Sequence, residues 1–183
     1  MERLKSRKTA AVIAAVGIIL STLLGVRVSV GRATAKVERM FYEGVYTTYL
    51  EPGIAGFLED RLTASNGLAS LAAGNTELTD MAQRLLAARR RLSEAKTIAE
   101  KAKANGELEA AYRECAEALE KAGLDERERK MLSAYNDKMY GAQGAIMKNP
   151  YNLKVAELRR QLEWFPMNLL TKIVSAPYPQ YFE

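Results

Sequence analysis

Apolar residues recur along most of the chain in a 3-4 rhythm, and the places where the rhythm stops are few. Leu78, Met81, Leu85, Ala88, Leu92, Ala95, Ala99 and Ala102 step by alternating threes and fours, the spacing of a seam along one side of an α-helix. The second half of that seam is alanine, which predicts a closely approaching neighbour. Leu108, Ala111, Cys115, Ala118 and Ala122 repeat the step, as do Leu132, Tyr135, Met139, Ala142 and Ile146, and Val155, Leu158, Leu162, Phe165 and Leu169. No stretch alternates β-branched with polar residues, so no sheet is expected. Breaks are predicted at Glu51-Pro52-Gly53, Gly74-Asn75, Asn105-Gly106, Gly123-Leu124-Asp125 and Asn149-Pro150. Pro52 should kink or divide a first helix over about 33–73, and Asp125 should cap the helix after Gly123. The predicted fold class is all-α: an N-terminal transmembrane helix, then an elongated antiparallel bundle of about four long helices. Charged runs such as Arg89-Arg90-Arg91 and Glu126-Arg127-Glu128-Arg129 mix both signs within each face and read as solvated surface.

The N-terminus breaks this pattern. Thr9 to Val26 are 18 consecutive residues without a charge, ~27 Å of helix against a hydrocarbon core of ~30 Å. Arg3, Lys5, Arg7 and Lys8 precede the run, and Arg27 closes it. One reading is an uncleaved single-pass anchor. The alternative is a signal peptide cleaved after Ala35, releasing a secreted helical binding module. Arg27 and Arg32 lie between the run and that site, and the run is longer than an ordinary signal peptide's ~7–15 apolar residues, so the anchor is favoured. The predicted organisation is residues 1–32 as basic N-terminus and anchor and 33–183 as the helical domain. Basic residues number four on either side of the run; their tight clustering at the amino terminus favours a cytoplasmic N-terminus and an extracytoplasmic body.

At 183 residues a single domain is expected. Histidine is absent and Cys115 is the one cysteine, which removes Ser-His-Asp and Cys-His catalysis, His-ligated metals and an intramolecular disulfide. Cys115 itself reads as a buried seam residue. The net charge of +5 is uneven: residues 1–26 carry a net +3, and the remainder has 23 basic and 21 acidic residues. A near-neutral body has no phosphate-binding footprint, so no nucleic-acid partner is expected. Glu114, Glu117 and Glu120, and Glu77 with Asp80, share helix faces but lack the histidines of a di-iron site and the loop of an EF-hand. No catalytic, cofactor-binding or metal-binding residue is assigned. An enzyme working through carboxylates alone would need two acids ~5–9.5 Å apart in a cleft.

From Tyr151 the chain reads YNLKVAELRRQLEWFPMNLLTKIVSAPYPQYFE. Tyr151, Val155, Leu158, Leu162 and Phe165 share a stripe, Pro166 predicts a local kink, and Pro177 and Pro179 are expected to stop the helix. The aromatic tail of Tyr178, Tyr181 and Phe182 should fold back onto the protein. This segment resembles the closing signature of the LemA family. Tyr151-Asn152, Val155, Leu162, Phe165-Pro166 and Tyr181-Phe182-Glu183 fall at matching offsets, while Leu158-Arg159 stands where the family has a second Tyr-Asn. Upstream, Arg61 and Leu68 fit an Arg followed by Asn-Leu, with Gly67 replacing the Asn, and Ala88-Arg89 fits an Ala-Arg element. The resemblance, that of a divergent member, implies an antiparallel helical bundle anchored to a bacterial membrane. It implies no reaction and no cofactor. Membrane lipid and a protein of the membrane or envelope are the partners to expect, some family members being linked to membrane proteases and envelope maintenance.

Overall fold

Side chains that cap backbone groups decide where several helices begin. In the computed structural model, which describes residues 7–183, the helices are α1 (Arg7–Glu43), α2 (Ile54–Ala73), α3 (Thr79–Glu94), α4 (Ile98–Lys121), α5 (Glu126–Lys148), α6 (Tyr151–Glu163) and α7 (Met167–Ile173). The fold is all-α, as the periodicity predicts. Glu2, Arg3 and Lys5 lie outside the described residues. Asp125 forms the expected cap: its carboxylate accepts from Glu128 N at 2.7 Å, and the Glu128 carboxylate accepts from Asp125 N at 2.9 Å. Asn75 accepts from Glu77 N at 2.9 Å and opens a 3-10 turn, Thr76–Leu78. Asn149 accepts from Tyr151 N at 3.0 Å and opens α6.

Two boundaries and one buried face differ from the sequence reading. The seam over 78–102 is two helices: α3 ends at Glu94, and α4 starts behind Thr97. Thr97 Oγ1 accepts from Glu100 N at 3.1 Å, while the Glu100 carboxylate accepts from Lys96 N and Thr97 N, both at 2.9 Å. That box satisfies three amide donors and outweighs the alanine rhythm running across it; Ala99 ends up exposed. Asn105-Gly106 is no break but lies inside α4. The buried side of α4 is Leu108, Tyr112, Cys115 and Leu119, displaced from the predicted Ala111, Ala118 and Ala122.

Pro52 divides the first helical stretch, as one of its two expected outcomes. Between α1 and α2 the chain forms a two-stranded antiparallel ladder, β1 (Val45–Tyr46) and β2 (Leu50–Glu51), where no sheet was expected. Gly44 enters it at φ +99°, where a Cβ would stand 2.1 Å from Glu51 O; only glycine fits. Gly53 leaves it just as tightly, its absent Cβ 2.5 Å from Phe41 O.

The chain forms two compact units. One holds the described residues as far as Arg39 with Leu153–Pro179; the other holds Met40–Asn152 with Gln180–Glu183. In the second, α2 packs on α3, α4 and α5, and α3 packs on α4. Asn149 with Pro52 and Lys138 with Asp60 set α5 antiparallel to α2, and Arg89 with Leu62 and Arg91 with Glu107 tie α3 to α2 and to α4, an up-down four-helix bundle. Leu68, Leu85, Leu92, Leu108, Leu119 and Met139 fill its core, each less than 2% exposed. In the first unit, Val30, Leu162 and Ala176 are buried together, with Val26, Leu158, Met167, Val174 and Tyr178 against them. Thr34 Oγ1 donates to Pro177 O at 2.9 Å. Helix α7 stops before Pro177 and Pro179: Ala176 N donates to Thr171 O at 2.9 Å and Ser175 N to Lys172 O at 3.2 Å, with Ser175 at φ 47°. That is a Schellman stop carrying serine in the usual glycine position. Ala11 to Leu20 of α1 are all exposed, and α1 is the one described helix long and apolar enough to cross a membrane.

Candidate functional site

The motif residues of the C-terminal segment hold the tail. In the bundle unit, Asn152 grips one residue from both sides: its Nδ2 donates to Phe182 O at 2.9 Å and its Oδ1 accepts from Phe182 N at 3.0 Å. A side-chain amide is the one neutral group that can match a backbone donor and acceptor together in this way. Tyr151 donates from its hydroxyl to Gln180 O at 2.7 Å. Phe41 packs against both rings, 5.6 Å from Tyr151 and 5.5 Å from Phe182 between centroids. Tyr151 and Phe182 are buried, and Tyr181 is half-buried. In the other unit, Arg159 stands where the resembled signature has its second Asn, and its Nε and Nη2 donate to Pro179 O at 3.0 and 2.8 Å. Val155 and Leu162 are buried as their stripe predicts. Phe165 and Leu169 are not. Helix α6 ends at Glu163, the Phe165–Pro166 peptide is cis, and Phe165 is 80% exposed.

Arg61 is a fully buried cation in the bundle. Its Nη2 meets the Glu109 carboxylate at 3.1 Å and its Nη1 donates to Gln143 Oε1, which also accepts from Asn105 Nδ2 at 3.4 Å. Burial pulls the Arg61 guanidinium below its ordinary value, and the hydrogen bond and charge of Glu109 oppose that shift. Six residues on, Gly67 makes room for an aromatic ring. A Cβ there would come within 2.4 Å of Tyr135 Cε1, so Tyr135 occupies the space an Asn side chain would need. Arg89 Nε donates to Leu62 O at 3.1 Å and joins α3 to α2. These groups cross-link the helices of the bundle unit.

The carboxylates flanking the α3–α4 corner are already committed. Glu94 pairs with Arg90 at 2.7 Å, Glu107 with Arg91 at 3.0 Å, and Glu100 serves the Thr97 cap. Glu114, Glu117, Glu120, Glu77 and Asp80 are exposed. Among the described residues no group of three or more Cys, Asp or Glu could hold a metal ion. Cys115 is fully buried, and burial pushes its thiol up to about 11, so it is a packing residue with little thiolate.

The surface feature that sequence reasoning missed is the hairpin between α1 and α2. Tyr46 is 77% exposed and Tyr49 67%, with Tyr42 and Leu50 also exposed beside them. Thr47 closes the tip, its N donating to Tyr49 O at 3.0 Å. Two-residue strands carry no periodicity, so the readable signal was compositional: aromatics between Gly44 and Pro52-Gly53. Tyrosines held on a short rigid turn are good protein-contact groups, presenting apolar area at low entropic cost. Compared with known proteins, the chain matches no family model, no curated protein and no solved structure.

Proposed function

We propose that this protein is a membrane-anchored helical scaffold or adaptor of the bacterial cell envelope, working through protein contacts and without catalytic activity. In this reading α1 is an uncleaved single-pass anchor, the helical body is extracytoplasmic, and the chain is a divergent relative of the LemA proteins. The observation that carries the reading is the bare apolar run of α1. Ten consecutive residues, Ala11 to Leu20, are exposed, an arrangement that water penalises and lipid does not. Retention of the anchor is supported by Val30 and Thr34. Both lie on the N-terminal side of Ala35 and both are buried, Val30 against Leu162 and Ala176 and Thr34 bonded to Pro177 O. Cleavage after Ala35 would strip these contacts away. The exposed tyrosines of the hairpin are the surface on which a partner would dock.

Protease treatment of spheroplasts carrying a C-terminally tagged chain tests the topology. Loss of the tag before lysis, with the protein in the membrane pellet, is the expected result; protection until lysis overturns the extracytoplasmic assignment. A pull-down from solubilised membranes tests the role. A reproducible partner lost in the Tyr46→Ala/Tyr49→Ala variant supports it, and the absence of any reproducible partner argues against it. An intact mass lacking residues 1–35 would favour the secreted form.

A further inference from the structure

The apolar surface of the α1–α6–α7 unit does not end with α1. Helix α7 has two apolar faces. Met167, Leu170, Thr171 and Val174 are buried or half-buried, whereas Leu169 and Ile173, one turn apart, are both exposed. Immediately before it, Trp164 is 72% exposed and Phe165 80%. Four large apolar side chains thus lie bare within ten residues of sequence, in a segment whose other face is packed.

What lies beside them identifies the cover. Arg27, the residue that ends the uncharged run of α1, donates from Nη1 to Val174 O and lies 3.4 Å from Ser175 O. The C-terminal end of α7 is therefore fastened to α1 at the charge marking the edge of the 18-residue apolar span. Val26, one residue inside that edge, packs with Met167 and Val174 around the Leu162 cluster. A helix tied to that level lies along a membrane boundary if α1 crosses a membrane. The composition fits such a place: Trp and Phe for the headgroup layer, aliphatics for the upper acyl chains, and the exposed Arg160 and Lys172 for lipid phosphates, with Glu163 the opposing charge.

We propose that Trp164, Phe165, Leu169 and Ile173 form an interfacial wedge that dips into the leaflet next to the α1 span. This rests on the reading of α1 as a membrane anchor. The occupant of the apolar face is lipid, because the face is fastened to the edge of a segment whose own surface is bare and apolar.

Trp164 is the only tryptophan of the chain, which makes the test direct. The full-length protein is reconstituted into phosphatidylcholine–phosphatidylglycerol vesicles containing lipids brominated at a shallow or a deep acyl position. Carbonate extraction of the same vesicles reports separately on the α1 span. The expected result is a carbonate-resistant protein whose Trp164 emission is blue-shifted and loses most of its intensity to shallow-brominated lipid, less to deep-brominated lipid. The Leu169→Asp/Ile173→Asp variant, altered only at exposed positions, should remain carbonate-resistant while losing that quenching. A carbonate-resistant protein whose Trp164 is quenched by aqueous acrylamide and untouched by brominated lipid overturns the wedge and leaves the anchor standing. Shielding from both quenchers that grows with protein-to-lipid ratio overturns it in favour of a second copy. Release by carbonate overturns the anchor and the wedge together.

Discussion

The two compact units differ in how many of their apolar residues they cover. In the bundle unit, helical spacing finds a partner: Leu68 of α2, Leu85 and Leu92 of α3, Leu108 and Leu119 of α4 and Met139 of α5 are each less than 2% exposed. In the other unit Val30, Val155 and Leu162 are buried too, but more residues of the same types stay outside. Ile18, Leu20 and Leu24 of α1 and Leu169 and Ile173 of α7 are all more than half exposed. Periodicity states which residues share a face; it does not state what covers the face. In the bundle the cover is a neighbouring helix, and in the α1 unit these side chains stand exposed.

The sharpest way to test that difference is to cut equal side chains from each unit. Leu85→Ala removes a fully buried leucine and should cost about 3 kcal/mol, the transfer loss plus a cavity. Leu169→Ala removes an exposed one and should change the thermal melt by less than about 0.5 kcal/mol. Circular-dichroism melts of the detergent-solubilised full chain measure both. Trp164 emission, which reports only on the α1 unit, should be unchanged by Leu85→Ala at low temperature. Equal losses in the two variants would mean that Leu169 is covered by protein.

The tail offers the next largest effect. Asn152→Ala deletes both hydrogen bonds to Phe182, each worth about 1 kcal/mol, so a loss of about 2 kcal/mol is expected. Amide exchange at Phe182 should accelerate strongly, with core amides of α4 little affected. Unchanged protection at Phe182 would mean that the ring contacts with Phe41 hold the tail alone.

Gly67→Asn introduces the residue that the resembled pattern carries and should destabilise the bundle by about 1–2 kcal/mol through overpacking against Tyr135. The ring is half-buried and can give way, which keeps the effect at the low end. In a Tyr135→Ala background the same change should be nearly neutral, and the coupling is read from the four melts of the cycle. Additive effects would separate Gly67 from Tyr135.

Much of this was legible in the sequence, and the failures have local causes. Asp125, Gly74-Asn75 and Asn149-Pro150 were readable because their side chains or missing amides end helices by themselves. Ala95 and Ala99 were misassigned because alanine fits a seam and a surface equally well, so the rhythm ran unbroken through a real corner. Tyr112 was passed over for Ala111 because both start from Leu108 with helical spacing; burial chose the larger residue. The stop of α7 was hidden by serine at position 175 in place of glycine. Phe165 and Leu169 extended a correct stripe past the end of α6. The exposed tyrosines of the hairpin left only a compositional signal, since strands of two residues leave no period to find.

The α3–α4 corner gives the smallest effect and isolates a single cap. Thr97→Ala removes the acceptor for Glu100 N and should cost about 1 kcal/mol, entirely within the bundle unit. The corner also titrates. Backbone hydrogen bonds from Thr97 and Lys96, with the Thr97 side chain added, hold the Glu100 carboxyl below the usual carboxylate range. The folded state therefore favours the ionised form. The stability this provides is complete above the ordinary carboxylate range and disappears as pH falls through the lower folded value. Glu100→Gln keeps an acceptor oxygen without the charge, so its deficit relative to the parent should be present at neutral pH and close on acidification. Urea melts from pH 7 to pH 3 measure the gap. Curves that stay parallel would mean that Glu100 is bound by geometry alone, and that the corner is held by Thr97 and the packing of Ile98 and Leu92.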